Sequence, residues 1–274
     1  MPDNIKKILV FGETCEDIFN YCSCDRVAPD KPCQVVQVED AVKNLGLAAN
    51  TVANLRSLNP DWKIYFYTQK SYSSKTRYVD KKSNHYFLRV DHNDKVPSEE
   101  RIDEPKFYKY LEDNGIKFDE IDAAVISEYG KGLVSKEFIY FISQLAKMYN
   151  IPVFIDTKFT LNSWSQDTIV KINRKEYNEN LKTHLFPEKY CKELVVTLGE
   201  EGTWWVNKNK IFHAEKVEIS DLSGAGDSHL AFLVTKYLET GGDLEKSIIA
   251  ANKAAAYAVT QKGVVAVKRE NIKE

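Results

Sequence analysis

The sequence predicts a layered α/β fold built on parallel strands, and two observations support this. Short apolar runs alternate with segments of helical length, which is the pattern of strand–helix–strand crossovers. The chain has 274 residues, of which 43% are apolar and 28% are charged. A chain of this length buries roughly three quarters of its surface on folding, so its core needs neither disulfides nor a structural metal.

The predicted strands are apolar runs at Ile8–Phe11, Ile64–Tyr67, Ala123–Ile126, Val153–Ile155 and Leu194–Leu198. The predicted helices lie at Leu47–Ser57, Glu99–Asn114, Lys136–Tyr149, Ala225–Glu239 and Leu244–Thr260. Helical crossovers between consecutive strands indicate that the strands run parallel.

Two stretches break this alternation. Gln34–Val38 and Lys75–Val90 read as extended strands, with a polar turn at Lys81–Asn84 inside the second stretch. They predict a small antiparallel sheet beside the main one, which would serve as a lid over a cleft, as a dimerisation flap, or as both. We expect residues 1–274 to form one domain, with lid strands within about 13–45 and 75–91.

The charge balance restricts the partners. Lys and Arg number 38 and Asp and Glu number 40, so the net charge of −2 provides no field to recruit nucleic acid or anionic lipid. The first apolar run is too short for a signal-peptide core, and no run approaches the length of a membrane span. We therefore expect a cytoplasmic protein that binds a small molecule, with neither nucleic acid nor a membrane as partner.

The cysteines do not form a disulfide pattern. There are five, an odd number, and Cys15, Cys22, Cys24 and Cys33 all precede residue 34. Their spacing lacks the paired C-x2-C knuckles of structural zinc sites, so four thiolates around zinc is the less favoured interpretation.

The segment Asp221–Ser228 carries the strongest chemical signal. Gly224, Ala225 and Gly226 let the backbone approach a ligand closely, and the predicted helix that follows would point unpaired N–H groups at an anion. Asp227 would then lie in the first helical turn, where its carboxylate could accept a proton from an attacking hydroxyl. The alternative is a tight turn with Asp227 as an ordinary N-terminal helix residue.

This run, in its frame with Asp221, resembles the signature of the PfkB (ribokinase-like) sugar kinases. Other segments match that family in order and spacing: Gly12 with Asp17, Asn173–Glu176, Val196–Gly202, and Ala251–Ala255 with Gly263. The resemblance implies a three-layer ribokinase-like fold, with a mostly parallel central sheet flanked by helices and a small antiparallel β lid. It also implies use of ATP and Mg²⁺; a monovalent cation near Asp221 and a homodimer through the lid strands stay open.

The resemblance implies a role for each matched residue. Asp227 is expected to be the catalytic base, with the amides of Gly224, Ala225 and Gly226 holding developing charge. Three residues, Asp17, Gly46 and Asn50, are expected to bind the sugar. The nucleotide side is expected to use Lys158, Asn173, Glu176, Thr197, Gly199, Gly202 and Asn252, with Glu176 holding Mg²⁺ indirectly.

Within the family, five segments resemble the bacterial heptose-7-phosphate kinases: Arg26–Val36, Lys75–Arg77, Leu88–Asp91, Ser127–Gly132 and Asp156–Lys158. This implies that the substrate is D-glycero-β-D-manno-heptose 7-phosphate, phosphorylated at the anomeric hydroxyl to the 1,7-bisphosphate during lipopolysaccharide or capsule precursor synthesis. Arg77 is expected to hold the distal phosphate, with Arg89 and Lys131 as the other candidates.

Two departures from the family pattern leave alternatives open. Leu47 replaces the second glycine of a Gly-Gly-Ala-x-Asn turn, and only residues 68–74 remain where the family inserts a helix and a strand. Another sugar as substrate, or a non-catalytic nucleotide- or sugar-phosphate-binding protein of the same fold, therefore remains possible.

Two tryptophans and one histidine lie close to these motifs. Trp204 and Trp205 are expected to pack a strand pair rather than stack on adenine, and His229 is expected on the surface of its helix.

Overall fold

The computed structural model describes residues 5–183 and 186–272. In chain order its elements are β1 (Lys7–Gly12), β2 (Thr14–Val27), β3 (Gln34–Leu47), α1 (Ala48–Leu58), β4 (Lys63–Tyr67), β5 (Ser74–Asp80), β6 (Tyr86–His92), α2 (Glu104–Asp113), β7 (Ala123–Ser127), α3 (Lys136–Met148), β8 (Val153–Asp156), β9 (Ile169–Asn173), α4 (Arg174–Leu181), β10 (Glu193–Thr197), β11 (Thr203–Trp205), β12 (Lys210–Phe212), α5 (Ala225–Glu239) and α6 (Leu244–Val259).

A central sheet of eight strands runs through the described part of the chain in the order β12-β11-β10-β9-β8-β7-β1-β4. The six strands β10, β9, β8, β7, β1 and β4 run parallel to their neighbours in this order. β11 pairs antiparallel with both β10 and β12. One face packs on α2 and α3, through Phe107 and Phe138 among others. The other face packs on α1, α5 and α6, through residues such as Leu55, Leu230 and Ile248. These three layers confirm the predicted fold class.

A second sheet of four strands, here called the lid sheet, has the order β3-β2-β5-β6. Two of its pairings are antiparallel, but β2 and β5 run parallel. Two rows of residues in register share one face: Asp17, Lys75 and Asp91, and Phe19, Arg77 and Arg89. Because strand residues alternate between faces, this face carries both arginines predicted to contact substrate.

Local sequence signals set several boundaries. The predicted helix from Glu99 begins instead at Glu104, because the Asp103 side chain caps it by accepting from Lys106 N (2.9 Å). The predicted helix from Lys136 does begin there, capped by Ser135. Within the described residues, no helix combines the length and apolar character that a membrane span requires.

Candidate active site

The N-terminus of α5 holds the glycine-rich segment. Gly224 precedes the helix with φ +81°, and a Cβ there would lie 2.7 Å from Asn50 Nδ2, so both conformation and space require glycine. The first helical hydrogen bond runs from Ser228 N to Gly224 O (3.0 Å). The amides of Gly224, Ala225 and Gly226 therefore precede it, at a helix end that favours an anion.

Asp227 is buried in the first turn of α5 and accepts three hydrogen bonds. Asn50 Nδ2 donates to Oδ2 (2.9 Å), while the Tyr129 hydroxyl and, at 3.5 Å, Thr51 Oγ1 donate to Oδ1. Burial raises the pKa of Asp227 to about 6, against the opposing effect of the bonds from Tyr129 and Asn50. A carboxyl with this pKa is ionised at neutral pH and can take a proton, so the chemistry fits a general base.

Lys171 is a site residue that the sequence analysis missed. It is buried in β9, where its Nζ pairs with Asp156 Oδ2 (2.5 Å). The same Nζ would lie 3.1 Å from a Cβ on Gly226, so a cation stands directly beside the α5 amides. An apolar strand interrupted by one lysine at the carboxyl end of a parallel sheet was the available signal.

A cavity of about 790 Å³ lies against the N-terminal part of α5. Four residues predicted to bind nucleotide line it: Thr197, Gly199, Gly202 and Asn252. Ala225 and Gly226 also line it, so the cavity reaches the N-terminus of α5. Its size suits a nucleotide, since ligand pockets commonly span about 300–1,000 Å³.

The expectation that His229 lies on the helix surface is wrong. Its side chain is buried and lines the cavity, because α5 packs against β11 and Thr203 Oγ1 lies 3.0 Å from His229 Nε2. Thr203 in turn donates to Asn252 Oδ1. Burial lowers the pKa of His229 to about 3, so the imidazole is neutral. Trp204 packs edge-on against Tyr177 at 5.3 Å, as the packing interpretation predicts.

Glu176 and Asn173 cap α4 reciprocally. Asn173 Oδ1 accepts from Glu176 N (2.9 Å), Glu176 Oε2 accepts from Asn173 N (2.8 Å), and Lys158 pairs with Glu176 Oε1. Among the described residues, no three His, Cys, Asp or Glu side chains converge as a metal cage. A single carboxylate is the arrangement expected where phosphates and water supply the other ligands of Mg²⁺, so these residues fit indirect binding of that ion.

Asp17 and Arg77 form a buried ion pair on the lid sheet. The Arg77 guanidinium also lies 4.7 Å from the centre of the Phe19 ring. A Cβ on Gly46 would collide with Asp17 Oδ2, so the missing side chain at Gly46 makes room for the pair. Arg77, expected to hold a phosphate, is thus already engaged by a carboxylate.

The other candidate phosphate-binding cations, Arg89 on the lid sheet and Lys131 in the loop after β7, are more exposed. Arg89 binds Asp91 through Nε and Nη2 at 2.7 and 2.6 Å, and Lys131 pairs with Asp94 at 2.5 Å. The hydrogen bond from Arg89 lowers the pKa of Asp91, and the charges of Lys75 and Lys131 act in the same direction. Lys75, Arg89 and Lys131 are thus the cations that act on Asp91, and they are here called the lid cation cluster.

Two further predicted features have defined positions. Asp221 accepts from Ser223 N (2.8 Å) and from the Tyr86 hydroxyl of the lid sheet (3.3 Å). Leu47, which replaces a family glycine, precedes α1 with φ +58°, a conformation that leucine rarely adopts. The strain anticipated for a positive φ at Leu47 is therefore present.

Residues 141–271 match the family model described as pfkB family carbohydrate kinase. A protein named "Bifunctional protein HldE" from Campylobacter jejuni subsp. doylei is 30% identical over an alignment of 298 positions. The alignment covers 97% of this chain and 64% of the relative. A protein of the same name from Helicobacter hepaticus is 29% identical, with 94% of this chain and 61% of the relative covered. The chain thus spans slightly under two thirds of the length of these curated relatives.

Solved structures share the fold. A nucleoside kinase of Methanocaldococcus jannaschii, described as an archaeal member of the ribokinase family, superposes with a TM-score of 0.68 at 20% identity, covering 96% of this chain and 95% of that one. A phosphofructokinase-2 variant from Escherichia coli superposes with a TM-score of 0.72 at 15% identity, covering 98% and 97%. These likenesses confirm the ribokinase-like fold.

Proposed function

We propose that this chain, whose residues 141–271 match the model of the pfkB family of carbohydrate kinases, transfers the γ-phosphate of ATP to a hydroxyl of a sugar phosphate. The observation that carries the proposal is the position of Asp227. Its buried carboxylate, with a pKa of about 6, lies at a helix N-terminus beside a nucleotide-sized cavity. Residues 1–274 would act as one kinase domain in the cytoplasm, where ATP is available.

In the proposed reaction, Asp227 accepts the proton of the acceptor hydroxyl as its oxygen bonds to the γ-phosphorus. The bond from that phosphorus to the bridging oxygen of the β-phosphate breaks, and ADP leaves with the electron pair. The amides of Gly224, Ala225 and Gly226 and the ammonium of Lys171 stabilise the charge on the transferred group. Backbone donors and a buried cation need no rearrangement for this role.

On the nucleotide side, Thr197, Gly199, Gly202 and Asn252 would line the binding site for adenosine and its phosphates. Glu176, with Asn173 and Lys158 around it, would hold hydrated Mg²⁺, which neutralises phosphate charge when it is bound. The ion pair of Lys158 with Glu176 places a cation beside this carboxylate, where it could also contact a phosphate.

On the sugar side, Asp17, Gly46 and Asn50 would contact the hydroxyls of the acceptor. Because Arg77 already pairs with Asp17, we assign it to orienting that carboxylate, and we assign the distal phosphate to the lid cation cluster. A sugar that carries its own phosphate needs such cations. The heptose-kinase motifs favour D-glycero-β-D-manno-heptose 7-phosphate, with the 1,7-bisphosphate as product.

The lid sheet also supports a homodimer. On the face opposite Arg77, Leu88 and Val90 are about half exposed, and Leu45 on β3 is 57% exposed. An apolar sheet face of this kind suits burial against a second copy. Sedimentation at working concentration tests this, and a monomeric profile would contradict it.

A panel of sugar phosphates tests the proposed function. The protein with ATP and Mg²⁺ should release ADP with heptose 7-phosphate, and much more slowly with the unphosphorylated sugar. Release with a different hexose or ribose derivative would replace the heptose assignment and retain the kinase. ATP binding without ADP release for any sugar would favour the non-catalytic alternative.

A further inference from the structure

The hydrogen bonds to Asp227 identify the atom that is left to act as base. A carboxylate offers about four lone-pair positions, two on each oxygen. Tyr129 and Thr51 occupy both positions on Oδ1, and Asn50 occupies one on Oδ2. Among the described residues, no further donor reaches this carboxylate, so one position on Oδ2 remains for the acceptor hydroxyl.

Tyr129 is the closer of the two donors to Oδ1, because Thr51 Oγ1 lies at 3.5 Å, the limit of a hydrogen bond. The phenol reaches Asp227 from the loop after β7, whereas Thr51 and Asn50 both lie on α1. The carboxylate is therefore held from two separate elements. Removal of the phenol would leave both remaining donors on one side, so the carboxylate could rotate.

Two buried carboxylates fix the loop that carries Tyr129. Glu13 accepts from Tyr129 N (2.9 Å) and Leu133 N (3.2 Å). Glu128 accepts from Gly130 N, Thr157 Oγ1 (2.8 Å) and Lys158 N (2.9 Å). Burying two carboxylates is costly, and here they bind the backbone amides of Tyr129 and Gly130 and tie this loop to Thr157 and Lys158. The position of the phenol is thus strongly determined.

We propose that Tyr129 is a positioning residue of the transfer reaction, whose hydroxyl fixes Asp227 Oδ1 so that the free position on Oδ2 faces the acceptor hydroxyl. This inference rests on the proposed kinase function. It goes beyond that function by adding a residue outside the glycine-rich signature and by naming the oxygen that takes the proton.

The charged and titratable groups around Asp227 set the expected pH dependence. Asp156 on β8 raises the pKa of Asp227, whereas Lys171 on β9 lowers it. Both effects on the pKa are smaller than those of burial and of the hydrogen bonds from Tyr129 and Asn50. The Tyr129 bond favours the ionised carboxylate. Its loss therefore raises the pKa of Asp227, and activity should decline at a higher pH as the solution is acidified.

The test is Tyr129→Phe, which removes one oxygen atom. We expect kcat to fall about tenfold or more, with KM for ATP and sugar phosphate within about threefold, because only the approach of the base is altered. The acidic limb of the kcat profile should move to higher pH. The matched control is Tyr67→Phe, which removes the hydroxyl of a half-buried tyrosine that packs on Phe11 and does not hydrogen-bond to Asp227, and it should leave kcat and its pH profile unchanged.

A measurement without turnover separates this inference from the proposed function. The carboxyl carbon-13 resonance of Asp227, assigned with Asp227→Asn, should titrate at higher pH in ligand-free Tyr129→Phe than in the parent. An unchanged titration, or an unchanged kcat profile, would overturn the role of Tyr129. Absence of ADP release in the parent protein would overturn the kinase proposal instead, and the resonance would still decide the role of the tyrosine.

Discussion

The nucleotide side and the sugar side of the proposed site are built differently. On the nucleotide side, the groups that face an anion are the backbone amides of α5, which carry no counter-charge, with the Lys171–Asp156 pair buried beside them and a cavity already open. On the sugar side, charged side chains neutralise one another, as in the Asp17–Arg77 and Arg89–Asp91 pairs. The first arrangement is preformed, whereas in the second a substrate must compete with existing ion pairs. In the proposed function, phosphoryl transfer would therefore depend on the first side and substrate selection on the second.

The largest expected effect comes from Asp227→Asn, because it removes the base from the preformed side. We expect kcat to fall about 10³-fold or more, since general base catalysis commonly contributes 10²–10⁴-fold. ADP affinity, measured by calorimetry, should stay within about threefold because the amides and the cavity are unchanged. A variant with parental kcat would show that another group takes the proton.

Lys171→Met tests the cation on the same side. Loss of a preorganised charge at the transferred group should lower kcat about 10²–10³-fold, as removal of one oxyanion donor does elsewhere. This change leaves the Asp156 carboxylate buried without its ion pair. If the single variant therefore unfolds, kcat is measured instead in the double variant Lys171→Met, Asp156→Asn. Lys147→Met removes an exposed lysine paired with Asp167 and should behave as the parent does.

Arg89→Gln probes the lid cation cluster. A hydrogen bond from a charged donor to a phosphate is worth about 1.5–3 kcal/mol, so KM for the sugar phosphate should rise about tenfold or more. The value of kcat, and KM for ATP, should change little, because the transfer groups lie elsewhere. Arg56→Gln, a change on the exposed face of α1, is the control. An equal rise in KM for both substrates would contradict the division between the two sides.

The smallest expected effect concerns stability at Leu47. Leu47→Ala and Leu47→Gly both remove the buried side chain, but only glycine accepts φ +58° without strain. We expect the glycine variant to be more stable than the alanine variant by about 1 kcal/mol, the reverse of the usual order. Urea unfolding measures this difference, and a more stable alanine variant would show that the turn is unstrained.

The sequence predicted the apolar strands and the signature segment but missed β9 with α4. Apolar runs such as Ile8–Phe11 are buried on both faces, so their pattern is continuous. In β9, Lys171 interrupts the run, and its burial depends on Asp156, which lies 15 residues earlier. A local pattern cannot show a partner that the fold supplies. The residue that hid the strand is itself part of the site.

The same limit explains why the Asp17–Arg77 pair was not foreseen and why the expectation for His229 was wrong. Asp17 and Arg77 lie 60 residues apart, and only the parallel pairing of β2 with β5 brings them together. His229 follows two polar residues of α5, Asp227 and Ser228, and its burial is explained by Thr203 on a separate strand. Individual residues could be named from motifs, but their pairing required the tertiary structure.

The most direct test of the account is a crystal structure with a non-hydrolysable ATP analogue and the sugar phosphate bound together. The account predicts Asp227 Oδ2 within about 2.6–3.2 Å of the acceptor hydroxyl, with Tyr129 still on Oδ1 and the γ-phosphate at the α5 amides. A carboxylate turned away from the sugar, or separated from it by the Leu47 side chain, would contradict the assignment of Asp227 as the base.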